Sequence, residues 1–188
     1  MTQQIKDKLI FENQELYLNV QLIEEYFREF PEKRPKFEIQ CTALWRGYVA
    51  KFEIKNNELI INELDWLTDI DFNMKSLRNE IFPNNKFEWY SGLIRIDDFR
   101  EEFDLEPDDG IFEYLQIENG NFIKKMVFDY KELQDFKKEQ YEYFLLSSEV
   151  EILYDFWRKN NENGFINIEN VNKIIFKNIM EFTRKVYV

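Results

Sequence analysis

Ile54-Lys-Asn-Asn-Glu-Leu59 is the stretch on which the fold turns. Folding it about Asn56 and Asn57 pairs Ile54 with Leu59 and Phe52 with Ile61, and sets Lys55 opposite Glu58. Tyr48 and Ala50 fall on the same face as Phe52. Asn tolerates positive φ, so the two central residues suit the tight turn that matches the twist of paired strands. The same order of apolar, charged, Asn, any, polar and apolar residues recurs in Phe11-Glu-Asn-Gln-Glu-Leu16 and Ile117-Glu-Asn-Gly-Asn-Phe122. Folded the same way, the first pairs Phe11 with Leu16 and Leu9 with Leu18, and the last pairs Ile117 with Phe122 beside Leu115. Period-two alternation and turn chemistry agree each time, which predicts three β-hairpins.

Outward from these, Phe37–Leu44 and Phe87–Ile96 are rich in β-branched or aromatic residues and read as further strands. A short helix is expected over Gln21–Phe30, opened by Asn19 and closed before Pro31, and another over Met74–Ile81 ahead of Pro83. Beyond residue 129 the period changes. Asp129 with Glu132, and Ser148 with Glu151, have the spacing of helix caps. Helices follow near 131–146, 149–160 and 168–186, the last with an apolar stripe of Val171, Ile174, Ile175, Ile179 and Phe182. The fold class is therefore α+β: an antiparallel, hairpin-built sheet of about six to eight strands, then a C-terminal helical layer. Residues 1–129 form the β-rich core with short helices. Residues 130–188 form a helical subdomain packed on it, within a single domain.

Apolar residues make up 44% of the 188, enough for a core, while charged residues at 33% keep the surface wet. No run of about 18 apolar residues occurs, which argues against a membrane span. The first nine residues lack the apolar region of a secretory leader. Cys41 is the single cysteine and forms no internal disulfide, which suits a reducing compartment. The expected location is the cytoplasm.

There is no histidine in the chain, which removes Ser-His-Asp and Cys-His catalysis and every His-ligated metal site. One cysteine excludes thiolate metal clusters. Five scattered glycines include no phosphate-binding loop. No cofactor is expected. Net charge is −12, which repels phosphate backbones and disfavours nucleic acid as a direct ligand. Residues 148–188 are balanced, so the excess lies before them. Within residues 97–109, Asp97, Asp98, Glu101, Glu102, Asp104, Glu106, Asp108 and Asp109 stand against Arg100 alone, leaving −7. Crowded carboxylates of this kind sit solvated on a loop, serve as an interaction patch, or hold a hard cation. The spacing fails the calcium-loop template. A loop from Lys159 to Asn170 matches that template more closely, but Lys159 and Asn170 replace the acids that close it. A helix–loop–helix turned at Gly164 is the reading there.

Two aromatic motifs remain, Trp45-Arg-Gly-Tyr48 and Trp89-Tyr-Ser-Gly92. Trp45, Arg46, Trp89 and Tyr90 are either a partner-binding surface, since Trp, Tyr and Arg dominate interface hot spots, or core rings of the sheet. Arg46 lies in an otherwise uncharged run from Cys41 to Ala50. If buried it requires a carboxylate, which the acidic stretch is placed to supply.

Cys41-Thr-Ala-Leu-Trp-Arg-Gly-Tyr-Val-Ala50, with the hairpin after it and Trp89-Tyr-Ser-Gly92 later, resembles a group of uncharacterised bacterial proteins sharing a Trp-Arg-Gly-Tyr strand and a Trp-x-Ser-Gly strand. The resemblance covers residues 8–125 and leaves the helical tail outside. It implies a bacterial source and carries no assigned activity.

Together these features lead to the expectation of a non-enzymatic, acidic protein that binds a basic protein. The concrete form is an immunity or inhibitor protein against a basic bacterial toxin. Its expected contact residues are Asp97, Asp98, Glu101, Glu102, Asp104, Asp108 and Asp109, with Trp45, Arg46, Trp89 and Tyr90. The alternatives are an accessory subunit that binds through aromatic surfaces, and a carboxylate-dependent, metal-binding enzyme using Asp97, Asp98, Asp108 and Asp109.

Overall fold

The three turn motifs each close with two residues at positive φ: Glu12 and Asn13 at 51° and 64°, Asn56 and Asn57 at 53° and 62°, Asn119 and Gly120 at 49° and 69°. That pair of conformations gives the two-residue turn whose twist matches the flanking strands. The structure, a computed structural model, describes residues 4–36, 41–68, 73–97, 110–160, 168–183 and 186. Among them the hairpins are β1 (Asp7–Phe11) with β2 (Gln14–Leu18), β3 (Tyr48–Lys55) with β4 (Glu58–Leu67), and β7 (Phe112–Glu118) with β8 (Asn121–Phe128). Two short strands complete the set, β5 (Met74–Ser76) and β6 (Gly92–Arg95). The sheet runs in the order β2-β1-β3-β4-β8-β7-β6, with β5 also on β4.

This is the expected α+β architecture, and the sheet is mixed rather than purely antiparallel. β1 runs parallel to β3, with Leu9 beside Phe52. After the first hairpin the chain passes through helix α1 (Leu22–Glu29) and a 3-10 turn (Pro31–Lys33) before returning beside β1. A crossover of that length permits a parallel pair.

In the central hairpin Ile54 faces Leu59, Phe52 faces Ile61 and Lys55 faces Glu58, as its turn dictates. The register then shifts between Lys51 and Phe52, where Asn62 is the extra residue of a β-bulge. Tyr48 consequently lies opposite Trp66, and the two rings stack 5.3 Å apart. The first hairpin is corrected by two residues: Leu9 faces Leu16 and Phe11 faces Gln14, because the turn is Glu12-Asn13. A two-residue slip leaves every side chain on its original face, so alternation alone does not detect it.

Other boundaries also move. Cys41 and Leu44 form an isolated bridge around a turn instead of ending a strand, and residues 37–40 of that expected strand lie outside the described residues. Only Gly92–Arg95 of the expected strand Phe87–Ile96 is extended and paired. Met74–Ser76 pairs with β4, leaving Arg78–Ile81 as helix α2. Gln21, rather than Asn19, precedes α1; the Asn19 side chain accepts from Lys6 Nζ instead.

The chain divides into two compact units, residues 1–96 with 114–125, and residues 97–113 with 126–188. In the first, Leu22, Ile23 and Phe27 of α1 are buried, and Phe27 meets both Tyr48 and Trp66 edge-on. Gly120 packs so closely on the chain at Phe87 and Glu88 that a Cβ there would lie 2.7 Å from the Phe87 carbonyl oxygen. In the second, α3 (Tyr130–Leu145) opens with a capping box. Glu132 N donates to Asp129 Oδ1 at 2.8 Å, and Asp129 N donates to Glu132 Oε2 at 2.9 Å. Helix α4 (Ser148–Asn160) follows, then α5 (Ile168–Lys177) and α6 (Ile179–Phe182). The last expected helix is thus broken at Asn178, whose side-chain amide donates to Ile174 O. Val171, Ile175 and Ile179 are buried, while Ile174 is exposed. The loop compared with a calcium site falls largely on 161–167, outside the described residues. No described helix is long and apolar enough to cross a membrane.

Candidate functional site

Asp7, Leu9 and Phe11 share the inward face of β1, so the alternation that buries two apolar residues carries a carboxylate in with them. Asp7 is 1% exposed. Its Oδ1 accepts from Arg46 Nη2 at 2.7 Å and from the Ala50 backbone N–H at 2.7 Å. Arg46, itself buried, donates through Nε to Tyr48 O at 2.9 Å, and its guanidinium lies 5.1 Å from the Tyr48 ring centre. Burial pushes the Asp7 carboxyl up to about 6 from its ordinary 3.8, against the opposing pull of Arg46 and the Ala50 N–H. Burial likewise raises the Tyr48 hydroxyl far above its usual range, with the Asp7 charge adding to the effect.

The carboxylate partner of Arg46 is therefore Asp7, not the acidic stretch as the sequence suggested. The pair fastens the turn of residues 41–47. Other bonds hold the same turn: Ile5 N to Ala43 O at 2.9 Å, Gln4 Nε2 to Thr42 O at 2.6 Å, and Leu67 N to Gly47 O at 2.8 Å. Leu44 and Arg46 point inward, whereas Trp45 between them is 65% exposed. The four expected contact residues of the two motifs thus separate by burial.

Trp45 is a surface ring, and Arg46 is an internal structural cation. Tyr90 is buried, stacked on Phe87 and donating to Leu93 O at 3.2 Å. Trp89 is half-buried against Tyr26 and Phe87, with its ring N–H donating to Glu29 Oε2 at 3.1 Å. For Arg46 and Tyr90 the partner-surface reading is corrected by burial. The motif's Ser91 also builds the fold, accepting from Asn119 N at 2.8 Å across to the third hairpin turn.

Asp97 is half-buried and accepts from Glu113 N at 3.0 Å. Asp98, Glu101, Glu102, Asp104, Asp108 and Asp109 lie outside the described residues. β6 and β7 pair antiparallel from Gly92 with Ile117 to Arg95 with Tyr114. Among the described residues no group of three or more Cys, Asp or Glu side chains could hold a metal ion.

Asp7 was the residue missed by sequence reasoning. Its signal was an acid in phase with Leu9 and Phe11 on a strand.

Fold and site define an α+β protein in which a mixed sheet is organised around a buried Asp–Arg pair. No family model, curated protein or solved structure matches the chain.

Proposed function

We propose that the protein is a non-enzymatic binding protein that docks a basic protein through the carboxylates of residues 97–109. Its concrete form is a bacterial immunity or inhibitor protein acting on a basic toxin in the cytoplasm. One observation carries the reading: a net −7 within this single stretch, out of −12 for the chain. Like charges at this density repel one another, so they favour a cationic surface that neutralises them and accelerate encounter with it.

The test is affinity capture from the native cell at low salt, with wild type beside a variant carrying Asp98, Glu101, Asp104 and Asp108 each replaced by Lys. A basic partner retained by the first and lost by the second is the expected result. Equal retention by both rejects the acidic contact. That outcome favours the second reading, an accessory subunit bound through aromatic surface, for which the exposure of Trp45 speaks.

A further inference from the structure

The two oxygens of Asp7 are unequally used. Oδ1 takes both donors, Arg46 Nη2 and Ala50 N. Oδ2 is buried and accepts no hydrogen bond from the described residues, and the Tyr48 hydroxyl is likewise buried without one. The Asp7 side chain has no exposed surface.

Every element around it contributes a definable set of groups. Arg46 and the Tyr48 hydroxyl face it from the turn and from β3. Glu24 faces it from α1, and Arg34 holds Glu24 by two bonds of 2.9 and 3.0 Å. Leu18, opposite Asp7 on β2, carries no charge. Lys8, next along β1, is turned to Glu15 at 2.6 Å.

We propose that Asp7 is an internal proton-binding site that takes its proton on Oδ2 while Oδ1 keeps both hydrogen bonds, so that the fold is more stable against unfolding in mild acid than at neutral pH. Protonation there keeps both hydrogen bonds to Oδ1 and removes the desolvation cost of a carboxylate in a dry site, which outweighs the lost attraction to Arg46. Arg46 retains its bonds to Oδ1 and Tyr48 O and its place over the Tyr48 ring. Glu24 nearby also repels the ionised form of Asp7 and so favours the proton.

The sign follows from linkage. A carboxyl at about 6 in the fold and 3.8 when unfolded binds the proton more tightly in the folded state. The stabilisation is fully present below 3.8 and is lost as pH rises through about 6.

Carbon-13 carboxyl titration of the full chain, with denaturation of wild type and Asp7→Asn at pH 7 and pH 4, tests this. The Asp7 resonance should titrate near 6. The wild-type folding constant should gain roughly fiftyfold relative to the Asn variant on going from pH 7 to 4. A midpoint at or below the ordinary carboxyl value, or parallel pH profiles of the two proteins, would overturn the proposal. If Asp7→Asn does not fold, the carboxyl midpoint alone decides.

Discussion

Arg46 and Asp7 stand 39 positions apart in the chain and 2.7 Å apart in the fold, with both side chains buried. The pair joins the N-terminal strand to the turn that feeds β3, and so ties together the two strands that run parallel. Parallel pairing requires a long loop closure, whose entropy must be offset by contacts formed at the end of it.

Breaking this pair from one side should cost far more than removing it whole. Arg46→Met leaves Asp7 buried with a single backbone donor, a loss of about 3–5 kcal/mol at a pH where its carboxyl is ionised. Asp7→Leu combined with Arg46→Met replaces both charges by apolar groups, and its stability should lie much closer to wild type. Urea denaturation of the two variants decides the matter. A double variant as unstable as the single one would show that burial of unpaired charge is not the source of the loss.

Gly120 should tolerate no side chain. An added Cβ would lie 2.7 Å from Phe87 O and 2.8 Å from Glu88 Cα, both backbone atoms, and φ is +69° besides. Gly120→Ala is expected to lose about 1–3 kcal/mol from the conformation alone and more from the contact. Asn57→Gly, at a turn position with φ of 62°, should change stability by less than about 0.5 kcal/mol. Thermal unfolding that ranks the two the other way would refute the close-packing account.

Local rules carried most of the fold, and their failures have local causes. Turn chemistry located all three hairpins, and the Asp129–Glu132 spacing located the start of α3 to within a residue. Alternation misplaced the first hairpin by two residues because it repeats every two. Met74–Ser76 had the composition of a helix but joins β4, where tertiary pairing overrides propensity. The Arg46 partner could not be read because an ion pair across 39 residues has no sequence period. Of the candidate contacts, the exposure of Trp45 and the burial of Arg46 follow from one turn holding its residues 44 and 46 inward. That is a geometric fact no composition encodes.

The capping box offers a smaller, cleaner measurement. Asp129 and Glu132 each bond the other's backbone N–H, satisfying two donors that a helix start leaves open. Asp129→Ala should cost about 1 kcal/mol, and Asp129→Ser should recover most of it. Equal losses for Ala and Ser would mean that the carboxylate acts through charge at the helix start rather than through the hydrogen bond.

Trp45 separates surface from core among the tryptophans. It is 65% exposed on a turn whose neighbours are buried, whereas Trp66 is 4% exposed and stacked on Tyr48. Truncating an exposed ring removes few contacts, so Trp45→Ala should shift stability by no more than about 0.5 kcal/mol. Trp66→Ala should cost about 3–5 kcal/mol, because it empties a packed site. Fluorescence gives an independent reading: Trp45→Phe should lower the acrylamide-quenchable fraction, while the fold is retained. If Trp45→Ala instead costs several kcal/mol, the ring is supporting the turn. Its exposure would then no longer argue for a role at an interface, and the second functional reading would lose its one structural support.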